Sequence, residues 1–224
     1  MYVIKTFSLG RAHELIIEKI LKHGKIVKTE DGEDTIELNE PLSIHCDTPF
    51  NDYMISKFNK FGKKAMEQYV KDLIEGSENE FSYTYNERLF HYKVNNNGEE
   101  TCINQIDYII NKLKIEPTSR RAEAITWQPH KDTKNKNPPC LQRIQCLIRD
   151  NKLNMHVEFR SNDMLSASGA NMYALVHLQK YIADALELDV GWYSHLSTSA
   201  HIYHNRDKDE LMNYINGLNL YFPW

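Results

Sequence analysis

Residues 138–163 read PPCLQRIQCLIRDNKLNMHVEFRSND, and this run decides the fold. Residues 142–149 alternate, with Ile144, Cys146 and Ile148 on one face. From 153 to 160, Leu153, Met155, Val157 and Phe159 alternate with Asn154, His156, Glu158 and Arg160. A period of two places each apolar set on one side of a strand. Asp150-Asn151-Lys152 between them is turn chemistry, so the pair is predicted to be a β-hairpin.

Working outward, residues 128–139 (QPHKDTKNKNPP) form a polar loop that is closed by two prolines and delivers the chain to Cys140. Residues 171–187 are long and largely apolar, and are predicted to be a buried helix. Residues 190–203 return to strand with Trp192, Tyr193 and Tyr203, and 207–216 are a short amphipathic helix with Asp207 near its start. In the N-terminal half, 1–7 reads as a strand. Leu15, Ile16, Ile20 and Leu21 mark a helix over 9–23 that stops at Gly24. Residues 29–40 are polar and turn-rich, and 61–75 are helical up to Gly76. Residues 80–93 are rich in aromatics, 94–100 form a turn, and 103–114 place Ile103, Ile106, Ile109, Ile110 and Leu113 on a helix. Strands and helices do not alternate regularly. The expected class is α+β, a mixed, antiparallel-rich sheet covered by helices, in a single domain over 1–224.

The chain has 27 Lys and Arg against 31 Asp and Glu, a formal net charge of -4. That balance gives no global reason to bind DNA or an acidic membrane surface. With 41% hydrophobic and 26% charged residues, the chain is not a disordered tail. No apolar run approaches the length of a membrane span, and the first twenty residues acquire charge early, so a cytoplasmic protein is expected. Cys46, Cys102, Cys140 and Cys146 include no CxxC pair, so no metal site is expected.

Four groups of residues point to chemistry. Pro138 and Pro139 fix the backbone just before the Cys140 thiol. The chain uses only 8 arginines. Arg160-Ser161 closes the second hairpin strand, followed by Asp163; guanidinium and hydroxyl together suit a phosphate. A cation near Cys140 would also raise its thiolate fraction. Arg120 and Arg121 are adjacent, and on a strand they would point to opposite faces. Asn171 offers a donor and an acceptor to an amide-like base edge, and His201 and Tyr203, two apart, share a face from which they could bind sugar hydroxyls.

Taken together, NPPCLQ, VEFRSND, GANMYALVHL and SAHIYHN resemble thymidylate synthase. Arg121 lies 19 residues before Cys140, Arg160 lies 20 after it, Asn171 a further 11, and His201 a further 30. Four motifs in order at these separations are far more specific than any one. The short chain and divergent N-terminal half look like the archaeal-type subfamily.

The resemblance implies roles residue by residue. Cys140 matches the nucleophile that adds to C6 of a pyrimidine, and Arg160 the residue that holds phosphate and activates the thiol. Ser161 matches a phosphate ligand. Arg120 and Arg121 match arginines that reach the phosphate of a neighbouring subunit, which implies a homodimer formed through the sheet. Asn171 matches the reader of the uracil edge, and His201 and Tyr203 the ribose contacts. Asp163 matches the carboxylate near the pterin. Tyr85 matches the tyrosine that orders water near C5, and Glu67 the catalytic glutamate. The implied reaction converts dUMP to dTMP with a methylene-tetrahydropterin cosubstrate, either tetrahydrofolate or tetrahydromethanopterin, and needs no metal.

The sequence also departs from the family pattern. Only GSENEFSYT (76–84) precedes Tyr85, where the family has a tryptophan-rich segment. Leu141 stands where many members have His, and Phe159 where Gln is common. TEDGEDTIEL (29–38) occupies the region of a phosphate-binding arginine, and the tail LNLYFPW differs from the usual closing segment. Two other readings stand beside methyl transfer. One is a pyrimidine nucleotide (dUMP, dCMP or CMP) hydroxymethylase, in which water replaces hydride; Asn171 favours uracil, because cytosine-specific relatives usually carry Asp there. The other is a non-catalytic nucleotide- or RNA-binding protein on the same fold.

Overall fold

A computed structural model describes residues 1–77, 84–96 and 99–221. The N-terminal half runs β1 (Tyr2–Thr6), α1 (Leu9–His23), β2 (Lys25–Lys28), β3 (Asp34–Glu37), β4 (Leu42–Cys46), α2 (Lys63–Ile74) and α3 (Tyr85–Phe90). The chain continues through β5 (Tyr92–Asn96), β6 (Glu99–Ile103), α4 (Gln105–Ile115), β7 (Glu123–Ile125) and α5 (Pro129–Asp132). It ends with β8 (Leu141–Arg149), β9 (Lys152–Asp163), α6 (Ser168–Ala185), β10 (Asp189–Ile202) and α7 (Lys208–Leu218).

The β8–β9 hairpin forms where the alternation placed it. Its turn is shorter than expected: Arg149 pairs with Lys152, so only Asp150 and Asn151 are unpaired. Both adopt left-handed backbone, with φ of 52° and 57°. That conformation matches the twist of a two-residue hairpin, and Asp and Asn tolerate it well. Ile144, Cys146, Leu153, Met155, Val157 and Phe159 are all buried.

Around this hairpin grows an eight-stranded sheet. Its main order is β1-β4-β10-β9-β8-β7, with β3 pairing β10 and β2 pairing β3. β1–β4 and β10–β9 are parallel, and the other pairs are antiparallel, so the sheet is mixed as expected. At the start of β10 the register with β9 slips between Val190 and Tyr193. There Asn154 Oδ1 accepts from the Trp192 N–H at 2.9 Å. A Cβ at Gly191 would sit 2.0 Å from that same oxygen, so only glycine fits the irregularity.

One face of the sheet is covered by α1 and α6. α1 starts on Ser8, whose hydroxyl accepts from the Arg11 N–H at 3.0 Å, and buries Ile16, Ile17 and Ile20. α6 begins three residues before the expected 171, so Asn171 lies in its first turn. On the other face Lys5, His45, Arg143, His156 and Trp192 are exposed or only half-buried.

Several segments differ from the sequence reading. The polar stretch 29–40 contains β3, held as strand by pairing to β2 and β10, with Thr35 and Ile36 buried. β4 was not anticipated, although Leu42, Ile44 and Cys46 alternate and are fully buried. The aromatic stretch holds α3, and the segment read as a turn lies largely within the β5–β6 hairpin, with 97 and 98 outside the described residues. The polar loop contains the short helix α5. The expected tail begins in α7, and its last three residues lie outside the described residues. Among the described residues, no helix is long and apolar enough to cross a membrane.

Candidate active site

A cavity of about 860 Å³ opens where β8, β9 and β10 meet α2, α6 and the β2–β3 hairpin. Cys140, Arg160, Ser161, Asp163, Asn171, His201, Tyr203 and Tyr85 all line it. Eight of the eleven residues singled out from sequence are thus brought together, although they span more than a hundred positions.

The geometry explains the two prolines. A proline lacks an N–H but keeps its carbonyl. Arg160 Nε donates to the Pro139 carbonyl at 3.0 Å, and Nη2 donates to that of Pro138 at 2.8 Å. The guanidinium is thereby aimed across the loop, and Nη2 lies 3.8 Å from Cys140 Sγ. The Leu141 N–H donates to Tyr85 Oη at 3.2 Å, which ties α3 to the residue after the thiol. Burial raises the Cys140 pKa above the ordinary thiol value, and the Arg160 charge works against that rise. The expected lowering by a cation is therefore present but smaller than desolvation.

Asp163 is already engaged. Its Oδ1 accepts from the Leu165 and Ser166 N–H groups at 3.2 and 3.1 Å, and its Oδ2 pairs with Arg206. Arg206 also sits 4.1 Å above the Tyr203 ring. His201 packs edge-on against Tyr203, with ring centroids 5.1 Å apart. Burial lowers the His201 pKa, opposed by the charges of Asp163 and Glu37, which favours a neutral imidazole.

Three expected residues stand elsewhere. Glu67 is on the exposed side of α2, 3.7 Å from Lys63 Nζ, and is not part of the cavity wall. Tyr69 and Asp72, three apart on the same helix, face the cavity instead. Arg120 and Arg121 are exposed just before β7, on a bend rather than a strand, and do not line this chain's own cavity. Sequence reasoning also missed Arg206 and Asn162, and the acidic hairpin residues Glu30, Asp31 and Glu37. Asn162 had a usable signal, since it lies between Ser161 and Asp163. Among the described residues, no group of three or more His, Cys, Asp or Glu side chains could hold a metal ion.

Behind the cavity lies His195, fully buried and stacked on Phe159 with centroids 4.6 Å apart and planes 3° apart. Burial pushes its pKa down to about 3. An unfolded histidine titrates near 6.5, so below that pH the unfolded chain binds a proton that the folded chain refuses. Stability is therefore present above pH ~6.5 and lost as pH falls toward ~3. This histidine alone is expected to cost about 2 kcal/mol between pH ~7 and ~5. Urea unfolding at those two pH values checks it. His195→Phe should shrink the difference by that amount, and an unchanged difference would remove His195 as its source.

Comparison with known proteins identifies the family. The thymidylate synthase family model matches residues 50–215. A protein of Methanocaldococcus jannaschii, provisionally named a thymidylate synthase, is 42% identical over 219 residues, 96% of each chain. One of Methanosarcina mazei with the same provisional name is 37% identical over 97% of this chain and 96% of its own. A thymidylate synthase of Bacillus mojavensis is 29% identical over 66% of this chain and 51% of its own. A match of this extent, falling on the stretch that builds the cavity, places the chain in the thymidylate synthase family.

Proposed function

We propose that this chain, acting as one domain, converts dUMP to dTMP. Cys140 adds to C6 of the base, and C5 takes a one-carbon unit from a methylene-tetrahydropterin. The observation that carries the reading is Arg160, pinned on two proline carbonyls with its cation at Cys140 Sγ. C5 of uracil is a poor nucleophile. Addition of a thiolate at C6 places the electron pair on C5, which can then attack the methylene carbon. A base removes the C5 proton and the carrier leaves as its tetrahydro form. A hydride donor, either that tetrahydropterin (then oxidised to its dihydro form) or a separate reductant, reduces the exocyclic methylene to the methyl group as the thiolate departs. Arg160, with Ser161, holds the phosphate and favours the thiolate. Asn171 reads the uracil edge, and His201 and Tyr203 bind the ribose.

A one-carbon carrier has room. A second groove of about 310 Å³ adjoins the cavity between α2 and α6, and Phe61, Ala65, Met66, Ala167 and Ala170 make it mostly apolar. It suits a flat pterin of either type, with Asp163 close by, and Tyr69 and Asp72 stand between groove and cavity. The phosphate needs help from outside. Among the described residues, five carboxylates (Glu30, Asp31, Glu37, Asp72 and Asp163) face the cavity against three cations, Lys136, Arg160 and Arg206. Asp163 already pairs with Arg206. Exposed Arg120 and Arg121 of a second copy, docked through the sheet's open face, would redress that balance.

Tritium release from 5-tritiated dUMP tests the reading, with methylene-tetrahydrofolate and methylene-tetrahydromethanopterin supplied separately. Release with either carrier, and a product with the mass of dTMP, is the expected result. A hydroxymethyl product would assign the sister chemistry instead. No release with either carrier, from folded protein that binds dUMP, would leave a nucleotide-binding protein.

A further inference from the structure

Asn171 is one member of a buried hydrogen-bond chain. Its Oδ1 accepts from Tyr69 Oη at 2.9 Å, and its Nδ2 donates to Asn162 Oδ1 at 3.3 Å. Asn162 Nδ2 lies 3.1 Å from His195 Nε2, and His195 Nδ1 lies 2.9 Å from Tyr193 Oη. Ser197 Oγ sits 3.1 Å from the same Nε2. Asn162, Asn171, Tyr193, His195 and Ser197 are all buried, so the chain runs from the cavity wall into the core.

An amide in such a chain is not free to turn. A neutral imidazole has one donor nitrogen and one acceptor nitrogen. With Nδ1–H directed at Tyr193, Nε2 accepts from Asn162 Nδ2. Asn162 Oδ1 must then receive the Asn171 N–H, and Asn171 Oδ1 receives the Tyr69 hydroxyl. Turning Asn171 alone would set two carbonyl oxygens against each other in a buried place. Reversal requires the whole chain, including the imidazole tautomer, to reverse together.

The sense of that amide carries information. Each polar atom of Asn171 uses one hydrogen bond within the protein, leaving an N–H on one side and a lone pair on the other. A uracil edge presents a carbonyl acceptor beside an N–H donor. A cytosine edge presents an amino donor beside a ring-nitrogen acceptor. One amide can read either edge, but only by turning over.

We propose that His195 and Asn162 are positioning residues that fix the sense of the Asn171 amide and so select uracil over cytosine. The inference rests on reading the cavity as a pyrimidine-nucleotide site. Phe159, stacked on His195, holds the imidazole plane in line with Asn162. The base edge is thus governed from behind, through the core.

The test measures the affinity of the full chain for dUMP and dCMP by titration calorimetry. His195→Phe keeps a flat ring on Phe159 but removes both nitrogens, and Asn162→Leu removes the relaying amide. Each variant is expected to lower the dUMP-over-dCMP preference about tenfold. Asn162→Asp still accepts from Asn171 and should rescue the preference lost in Asn162→Leu, which a merely structural role would not do. An unchanged preference in both variants, or a wild type that binds both nucleotides equally, overturns the proposal alone. A wild type that binds neither overturns the reading of the site as well. Nitrogen-15 spectra of histidine-labelled wild type need no variant to fold. They should show His195 protonated at Nδ1 and bare at Nε2, and the opposite tautomer overturns the proposal.

Discussion

Cys140→Ser is expected to lower tritium release from 5-tritiated dUMP by about a thousandfold or more, while dUMP affinity stays within about tenfold. The asymmetry follows from what surrounds the sulfur. Cys140 is half-buried on the cavity wall, whereas Cys46 and Cys146 are fully buried and Cys102 is exposed. Burial pushes Cys46 up to about 11 and Cys146 up to about 12, with no arginine opposing either rise. Neither can replace Cys140 as a thiolate near neutral pH.

A serine hydroxyl ionises so much less readily that the Arg160 guanidinium cannot supply an alkoxide in its place. The arginine, Asn171 and ribose contacts, however, are left where they were. Because the Cys140 pKa is also raised, release by the wild type should climb as pH rises into the alkaline range, and Arg160→Gln should lower it at any fixed pH in that range. Release by Cys140→Ser within tenfold of wild type would remove Cys140 as the nucleophile. Equal loss of binding and release would show that the thiol holds the ligand rather than attacks it.

The site was more legible in the sequence than the topology was. Cys140 directly precedes β8, and Arg160, Ser161 and Asp163 end β9, so their shared end of the hairpin could be read from its alternation despite the irregularity between Leu141 and Arg143. Asn171, His201 and Tyr203 follow on the next two elements. Glu67 was not recoverable in the same way. α2 has only Met66 and Leu73 fully buried, so its inward face is weakly marked and a shift of two residues moves a side chain to the opposite side. β3 was hidden for a different reason. Its two strand formers, Thr35 and Ile36, are flanked by Asp34 and Glu37 in a polar, turn-rich stretch, too short a run to mark a strand, and pairing with β2 and β10 completes it. The His195 chain was invisible because no local rule links a residue of β10 to one of β9. Only the parallel register, which pairs His195 with Val157 and Ser197 with Phe159, brings them together.

Asp132→Ala is expected to destabilise the fold by about 3–5 kcal/mol. Arg88 and Asp132 meet in a two-pronged pair, Nη1 to Oδ2 at 2.9 Å and Nη2 to Oδ1 at 2.8 Å. Their side chains are only 4% and 0% exposed. Arg88 Nη1 also donates to the Thr126 carbonyl at 3.1 Å, and Asp132 Oδ2 accepts from the Gln128 N–H at 2.6 Å. Removing the carboxylate takes the two charge-assisted bonds of Asp132 away from a buried guanidinium and leaves the Gln128 N–H without its carboxylate acceptor. Both penalties fall in the folded state only. The pair joins α3, which carries Tyr85, to the loop that delivers Cys140, so the damage should reach the site. Urea unfolding measures the stability loss, and the alkylation rate of Cys140 in folded protein reads the loop. Replacing both partners with apolar residues, as Arg88→Met with Asp132→Leu, should recover most of the stability, because the buried cation is then removed together with the carboxylate. A loss below about 1 kcal/mol in Asp132→Ala would mean that water reaches the guanidinium and that the pair is not the buried clasp its geometry describes.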